Sequence, residues 1–230
     1  MANNQVPSVP SDKRAAIDAF RKKLADQVAG VAPGQRARLL FGIDATGSRS
    51  PTWDLACQLQ GEMFEEAARL GGLDIQLEYY RARECQASRW TSDARTLADL
   101  MAKIDCRAGV TQIDKVLRHA QKENARQKVQ ALVFVGDAME ESAPDLYAIA
   151  RELGLPIFLF QEGDSSNVTV VFQEIARLTK GAHCHFTPGA ARELADLLRA
   201  VAAYAAGGRG ALLANKTAAA AKLLLQLPPR

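Results

Sequence analysis

Residues 37–50 read ARLLFGIDATGSRS and decide the fold of this chain. The first half, residues 37–43, is mostly apolar without polar alternation, which is typical of a parallel strand buried on both faces. Asp44, Thr46 and Ser48 follow at once, at alternate positions of a short loop. Alternate residues of an extended loop point the same way. These three oxygen-bearing side chains are therefore expected to converge just beyond the end of a buried strand.

The rest of the chain alternates short apolar runs with longer helical stretches, which is the signature of a parallel sheet covered by helices. Further strands are predicted over residues 74–81, 82–90, 131–135, 156–160 and 182–186, and helices over residues 11–29, 51–70, 92–104, 111–125, 143–153, 168–178 and 188–206. The fold class is therefore α/β, with a doubly wound, Rossmann-like, mainly parallel six-strand sheet and helices on both faces.

The antiparallel member of this sheet is expected at one edge, where residues 82–90 form a hairpin with residues 74–81. The second of these segments alternates, with Gln76, Glu78 and Tyr80 on its polar face. We therefore expect it to be half exposed or near an edge.

Three parts are expected along the 230 residues: an N-terminal lead with a helix (1–36), a single domain (37–206) and an Ala/Leu-rich helical tail (207–230). Glycines at 207, 208 and 210 separate the tail from the domain. We favour a tail that packs on its own body or on a neighbouring copy, as in a homo-oligomer. The alternative is a docking helix for a partner protein or a membrane surface.

The net charge of +3 comes from the tail, which has four basic residues and no acidic one, so the rest of the chain is nearly neutral. A neutral body lacks the basic face typical of nucleic-acid binding. There is no apolar run of membrane-spanning length and no secretory leader pattern. The four cysteines form no CxxC pair, so zinc and dithiol motifs are not indicated and a reducing cytoplasm is expected.

Ligands of doubly wound sheets bind beyond the carboxyl ends of the strands, where strand order reverses. Besides the loop after the first strand, this rule selects Asp137, which follows the apolar run VFVG. Between these two loops, Thr111 brings another hydroxyl to the start of a predicted helix. Such an all-oxygen set suits a hard cation, Mg²⁺ or alternatively Mn²⁺ or Ca²⁺, rather than zinc or copper.

These residues resemble a von Willebrand factor type A (VWA) domain with a metal-ion-dependent adhesion site (MIDAS). The family motif Asp-x-Ser-x-Ser is matched by Asp44-Ala-Thr46-Gly-Ser48, with threonine in place of the first serine. The separate family threonine matches Thr111, and the second aspartate matches Asp137. The family usually has Thr-Asp-Gly at this last position, whereas this chain has Gly-Asp-Ala. The resemblance covers residues 37–206.

The resemblance implies a non-enzymatic, cation-dependent protein-binding module. Thr46, Ser48 and Thr111 would bind the ion directly, Asp44 and Asp137 would act mainly through water, and an Asp or Glu of a partner protein would complete the coordination. Intracellular relatives of this fold often work beside ATPases or within multiprotein assemblies, so a partner of that kind is implied.

Each hydroxyl also has a purely structural interpretation. Ser48 or Ser50 could cap a helix that begins at Pro51, and Thr111 with Asp114 has the spacing of a capping box. An acid at the end of a buried apolar strand is costly unless it is solvated, hydrogen-bonded or paired. Asp44 is therefore stronger evidence for a cation site than any single hydroxyl.

Two other functions stay open. The chain could be an assembly scaffold with a weak or empty metal site that binds through its helices or tail, or, with less support, a metal-dependent hydrolase. A phosphate-binding loop is rejected because its lysine is missing and Asp44 would repel phosphate.

Several other residues have only general predictions. Trp53 and Trp90 are expected to be packing residues, with Trp90 near the rim of the site. Arg49 is expected either to steer an acidic ligand or to pair with Glu140 or Glu141. A transition-metal site at His183 and His185 is conceivable, but an ordinary strand end accounts for them better.

Overall fold

The computed structural model describes residues 36–53, 73–187 and 190–229. The predicted helix over 11–29 and most of the predicted helix over 51–70 lie outside these residues. The strands are β1 (Ala37–Asp44), β2 (Leu73–Arg81), β3 (Glu84–Ala87), β4 (Ala131–Gly136), β5 (Ile157–Glu162) and β6 (Ala182–Phe186). The helices are α1 (Ala94–Met101), α2 (Ile113–Arg126), α3 (Ala143–Glu152), α4 (Ser166–Thr179), α5 (Ala191–Ala214) and α6 (Ala218–Leu224), with a short 3-10 helix at Gly47–Thr52.

The described strands form one six-stranded sheet in the order β3-β2-β1-β4-β5-β6. Only the β2–β3 hairpin is antiparallel; all other neighbours run parallel. The predicted fold class is therefore confirmed. Strand order reverses between β1 and β4, which are direct neighbours with Ile43 opposite Val135. This reversal places a crevice beyond the ends of β1 and β4, where doubly wound sheets bind their ligands.

Each face of the sheet carries its own apolar core. Leu39, Phe41 and Ile43 of β1 face the core that includes α1, α5 and α6, whereas Leu40 faces the core formed with α2, α3 and α4. Because β1 is buried on both faces, it shows no polar alternation. Gly42 allows α2 to approach closely, since a Cβ there would lie 3.0 Å from Cγ1 of Val116.

The outer strands differ in part from the prediction. The edge hairpin forms as expected, and β2 lies next to the edge strand β3. The polar face of β2, however, is not half exposed, because Gln76, Glu78 and Tyr80 are all buried. That face packs under α2, where His119 lies 3.0 Å from the side chain of Gln76. The alternating polar residues of β2 therefore form a buried polar layer under α2 instead of a face exposed to solvent.

Two helices begin later than predicted. Helix α1 starts at Ala94 because the Asp93 carboxylate accepts a 3.0 Å hydrogen bond from the Thr96 amide and caps the helix. Helix α2 starts at Ile113, and its N-cap residue, Gln112, makes no side-chain cap bond.

The C-terminal segment packs on the same body. Helix α5 is kinked at Gly207 and Gly208, whose backbone angles are non-helical. Beyond the kink, α6 packs against α5 and β6, and Leu223 is completely buried. The tail was expected to pack on its own body or on a neighbouring copy, and in this structure it packs on its own body. No helix within the described ranges is long and apolar enough to cross a membrane.

The tail also reaches the free edge of the sheet. The side-chain amide of Gln226 donates to the carbonyl of His183 and accepts from its N–H, both at 2.8 Å. Gln226 thus makes the two bonds that a neighbouring strand would make to His183 of the edge strand β6.

Candidate functional site

The two predicted site carboxylates lie at the ends of neighbouring strands. Asp44 is the last residue of β1, and Asp137 directly follows Gly136, the last residue of β4. A Cβ added at Gly136 would lie only 3.5 Å from Cβ of Asp44. The negative charge of Asp137 contributes to raising the pKa of Asp44. The structure therefore brings both aspartates to the crevice that the strand order creates.

Asp44 is held by the protein on both of its oxygens. Its Oδ1 accepts a 2.7 Å hydrogen bond from the amide of Thr46, and its Oδ2 accepts a 2.9 Å bond from the hydroxyl of Tyr80. Burial raises the pKa of Asp44, and the bonds from Thr46 oppose that effect. Asp44 is thus a desolvated but well-oriented carboxylate.

The predicted hydroxyl pair forms directly after this carboxylate. Oγ1 of Thr46 and Oγ of Ser48 are 3.1 Å apart. Thr46 is the N-cap residue of the 3-10 helix but makes no side-chain cap bond, and the amide of Arg49 bonds its carbonyl at 3.1 Å. Because the Thr46 hydroxyl is not used as a cap, its oxygen remains available in the crevice beside that of Ser48.

Thr111 has a different role from the predicted capping box. Its hydroxyl donates to Oε2 of Glu141 at 2.6 Å and accepts from the amide of Glu140 at 2.8 Å. Glu141 also accepts from the amide of Ile113 and so takes the place of the cap. The capping-box alternative with Asp114 is therefore wrong. A hydroxyl has one donor and two acceptor positions, so Thr111 keeps one acceptor position.

Thr111 joins the other site residues indirectly. Within the described ranges, no hydrogen bond connects it to Asp44, Thr46 or Ser48. Its partner Glu141 lies within electrostatic range of the Tyr80 hydroxyl. Burial is the main cause that raises the pKa of Tyr80 well above its ordinary value, and the charges of Asp44, Glu141 and Asp137 add to it. Tyr80 is therefore influenced both by Asp44, which it contacts, and by the carboxylate that holds Thr111.

The loop that carries Thr111 is fixed by close backbone packing. A Cβ on Gly109 would meet the backbone of Ala82, 2.6 Å from its nitrogen and nearer still to its Cα and oxygen. The side-chain amide nitrogen of Gln112, Nε2, donates to the carbonyls of Ala82 and Glu84, each at 3.3 Å. On the other side, the amide of Arg107 donates to the carbonyl of Ala45 at 3.0 Å. The loop is thereby tied both to the β2–β3 turn and to the loop after β1.

The donor chemistry of this cluster matches a hard cation. Among the described residues, Oδ1 of Asp137 is buried and has no hydrogen-bond partner, which is costly for a carboxylate oxygen unless a cation or water serves it. The other candidate metal ligands are the hydroxyl oxygens of Thr46 and Ser48, and oxygen is the ligand atom that Mg²⁺ and Ca²⁺ prefer. In the same part of the chain, no three His, Cys, Asp or Glu side chains are grouped to hold a metal ion. Any ion here would therefore depend on the hydroxyls.

Arg49 and Tyr80 complete the cluster. Tyr80 was not predicted as a site residue, whereas Arg49 was expected beside the site but not among its metal ligands. Arg49 is only 1% exposed and forms an ion pair with Glu162, the last residue of β5. Its predicted alternatives, Glu140 or Glu141, are therefore wrong as its ion-pair partner. Glu162 could have been found by the same rule as Asp44, because both end a buried strand. Tyr80 gave no signal, because it lies on the face of β2 that was predicted to be polar.

The tryptophans are packing residues, as predicted. Trp53 is buried and donates to the carbonyl of Ile104 at 2.8 Å. Trp90 is not at the site rim, since it lies 3.7 Å from the guanidinium of Arg38 and donates to Glu123. Arg38 is near the start of β1, six residues from Asp44, which is about 20 Å along a strand.

The two histidines of β6 are occupied by hydrogen bonds. His183 is buried beside Gln161 at 3.0 Å, and Nδ1 of His185 lies 2.9 Å from the carbonyl of Gly163. Burial lowers the pKa of His183 to about 4, and His185 contributes. These contacts agree with an ordinary strand end.

Solved structures with a similar fold include two that are described as a VWA or vWF domain. The SpRpn10 VWA domain aligns with a TM-score of 0.57 at 14% identity, covering 69% of this chain and 95% of that one. BatB from Bacteroides thetaiotaomicron gives 0.53 at 15% identity, covering 69% and 95%. The vWF domain of the type V pili tip protein Mfa5 from Porphyromonas gingivalis gives 0.54 at 12% identity, covering 70% and 94%. The chain therefore has a VWA-like fold. No protein-family sequence model and no curated protein matches it.

Proposed function

We propose that this chain is a non-enzymatic protein-binding module whose crevice holds a divalent cation, completed by an Asp or Glu carboxylate of a partner protein. The observation that carries the proposal is the buried, unpartnered Oδ1 of Asp137, on the strand end next to Asp44. The hydroxyl oxygens of Thr46 and Ser48, 3.1 Å apart, add two neutral donors on the same loop as Asp44. The VWA-like fold supports the same assignment.

Neutral and charged ligands have separate roles in this proposal. Thr46, Ser48 and Thr111 would hold the ion directly, while Asp44 and Asp137 would act mainly through water. Hydroxyl ligands leave the ion most of its charge, and that charge is what attracts an incoming carboxylate. Mg²⁺ is the proposed ion, with Mn²⁺ or Ca²⁺ as substitutes. Glu141 supports the arrangement because it accepts the hydrogen bond that the Thr111 hydroxyl donates and so orients the remaining lone pair of that oxygen.

The proposed partner is an acidic surface of an ATPase or of a subunit in a multiprotein assembly. Nucleic acid is not proposed, because the body of the chain is nearly neutral. The proposed location is the cytoplasm, since the scattered cysteines fit a reducing compartment.

Metal dependence is tested by thermal unfolding in Mg²⁺ or Mn²⁺ and in chelator. Ligand at a hundred times its Kd stabilises a protein by about 2.7 kcal/mol, which for a chain of this size is a rise in Tm of about 5 to 10 °C. Asp137→Asn and Ser48→Ala are expected to abolish the rise. The matched control is Ser142→Ala, because Ser142 is likewise an exposed serine and its side chain makes no cap bond to the helix that follows it. An unchanged Tm of the unmodified chain at millimolar metal would contradict a cation site.

The carboxylate requirement is tested separately on a peptide array. Each peptide with a central Asp or Glu is paired with an Asn or Gln version, and the full chain is applied with Mg²⁺ or with chelator. The proposal expects binding that needs both the ion and the carboxylate. Equal binding to both peptide versions would contradict it.

A second candidate is a scaffold that binds through its C-terminal segment without metal. Its supporting observation is the exposure of two leucines there, Leu213 and Leu225. Such binding would persist in chelator and be lost on Leu225→Ser, whereas Asp137→Asn would leave it intact.

A further inference from the structure

The most unusual charge of the molecule is a buried arginine next to the proposed cation site. Arg49 follows Ser48 directly and is 1% exposed, and its ion-pair partner Glu162 is 5% exposed. Buried ion pairs contribute little net stability, because desolvation of both groups offsets their attraction. The position of the pair therefore matters more than its stabilising effect.

Arg49 also lies in the field of the two site aspartates. Burial lowers the pKa of Arg49, while the charges of Asp137 and then of Asp44 act in the opposite direction. Three neighbouring strand ends thus carry carboxylates: Asp44 ends β1, Asp137 follows β4 and Glu162 ends β5. Arg49, in the loop after β1, pairs with the last of them. A second positive charge bound at Asp44 and Asp137 would be repelled by this guanidinium.

We propose that Arg49 is a built-in counter-cation that sets the affinity of the site for divalent ions, and that Glu162 moderates it by drawing the guanidinium away from Asp44 and Asp137. This inference rests on the proposed cation site and adds what tunes it. The positive charge of Arg49 offsets part of the negative charge of Asp44 and Asp137 when no ion is bound, so the fold does not depend on metal. Because Glu162 holds the Arg49 guanidinium, a divalent ion can compete with Arg49 for Asp44 and Asp137.

The pair gives two opposite expectations. Removing the positive charge with Arg49→Met leaves Asp44, Asp137 and Glu162 without this counter-charge, so it should tighten Mn²⁺ binding by about tenfold or more. Removing the negative charge with Glu162→Gln leaves Arg49 to pair with Asp44 and Asp137, so it should weaken Mn²⁺ binding by a similar factor. A purely structural role in holding the loop predicts weaker binding for both variants.

The experiment measures the Mn²⁺ dissociation constant of the full chain by calorimetry, together with the Tm in chelator and in Mn²⁺. Arg49→Met is expected to lower the Tm in chelator and to regain it with Mn²⁺, because the ion replaces the lost charge. The control variants are Arg177→Met and Glu174→Gln, an exposed ion pair on α4, which should leave the dissociation constant unchanged. The double variant, Arg49→Met with Glu162→Gln, tests whether Glu162→Gln loses affinity through its charge or through misfolding. If charge is the cause, adding Arg49→Met should restore affinity.

The outcomes separate this inference from the proposed function. Mn²⁺ binding by the unmodified chain that weakens or stays unchanged in Arg49→Met overturns the counter-cation role and leaves the cation site standing. Failure of Arg49→Met to rescue Glu162→Gln overturns it as well. Absence of Mn²⁺ binding in the unmodified chain and in all variants overturns both. Binding in Arg49→Met alone supports the counter-cation role and contradicts metal dependence of the natural chain.

Discussion

The hydroxyl of Tyr80 donates a 2.9 Å hydrogen bond to Oδ2 of Asp44 from the neighbouring strand. Tyr80 is completely buried and stacks on Phe134, with ring centroids 6.2 Å apart. Phe134 also fills the space beside Gly136, where a Cβ would lie 2.9 Å from its ring. The Phe134 ring therefore explains why a glycine precedes Asp137. The Tyr80 ring, stacked on it, orients Asp44 through its hydroxyl.

Tyr80→Phe is expected to destabilise the protein by about 1 to 3 kcal/mol, because it leaves a buried carboxylate oxygen without its donor. Urea unfolding measures the change. Tyr79→Phe is the matched control, since the adjacent hydroxyl bonds Gln86 at an exposed position and its loss should cost less than about 0.5 kcal/mol. Equal effects of the two substitutions would contradict the role assigned to Tyr80.

Glu78 is expected to make the stability fall as the pH rises. Burial raises its pKa from 4.5 to about 8, and the charge of Glu123 adds to this, while a bond from the Cys85 thiol opposes it. The folded state therefore holds a proton that the unfolded chain has lost between these two pH values. The stabilising effect is complete below pH 4.5 and is lost as the pH rises to about 8, with a slope of up to about 1.4 kcal/mol per pH unit.

The measurement is the free energy of unfolding between pH 5 and 8.5. Glu78→Gln mimics the protonated group, so this variant should lose the Glu78 part of the slope and become more stable than the unmodified chain near pH 8. Glu84→Gln, at an exposed position of β3, should keep the slope. Parallel pH profiles for the unmodified chain and Glu78→Gln would show that Glu78 is ionised in the folded protein.

Two glycines at the site should respond differently to alanine. Gly109→Ala places a Cβ inside the backbone of Ala82, so the loop that carries Thr111 must move. We expect a lower Tm and weaker Mn²⁺ binding. Gly47→Ala meets only ordinary contacts, the nearest being Cα of Ala108 at 3.5 Å. A normal Tm and normal Mn²⁺ binding in Gly109→Ala would contradict the packing described for this loop.

Two leucines near the C-terminus test whether the tail is part of the core. Leu223 is completely buried, whereas Leu225 is 89% exposed. Leu223→Ala is therefore expected to cost about 2 to 5 kcal/mol of unfolding free energy, and Leu225→Ala less than about 0.5 kcal/mol. If Leu223→Ala were as harmless as Leu225→Ala, the tail would not pack on this body in solution.

The sheet was predictable because its strands carry strong local signals. The apolar run of β1 and the hairpin after β2 are properties of neighbouring residues, and both predictions are confirmed. The burial of Gln76 and Tyr80 was not predictable, because it depends on α2 covering a face that the alternation indicated as polar. Boundaries such as the start of α2 depended on Glu141, a distant residue that supplies the cap.

The site was predictable only where it follows strand ends. That rule selected Asp44 and Asp137, which the structure places on neighbouring strands, and the spacing of Thr46 and Ser48 anticipated their contact. The same rule also marks Glu162, the last residue of β5, but it does not reveal the pairing with Arg49, because a position at a strand end does not identify an ion-pair partner. Whether an ion occupies the crevice stays a prediction.

The contact of Gln226 with His183 has a consequence for self-association. A bare outer strand is a template on which another chain can add by strand pairing. By satisfying both backbone groups of His183 with one side chain, the tail leaves neither group open to pairing with an added strand at β6. Removing residues 218–230 would take away Gln226 and leave the backbone groups of His183 unpaired. A shortened version of the chain should therefore keep this tail.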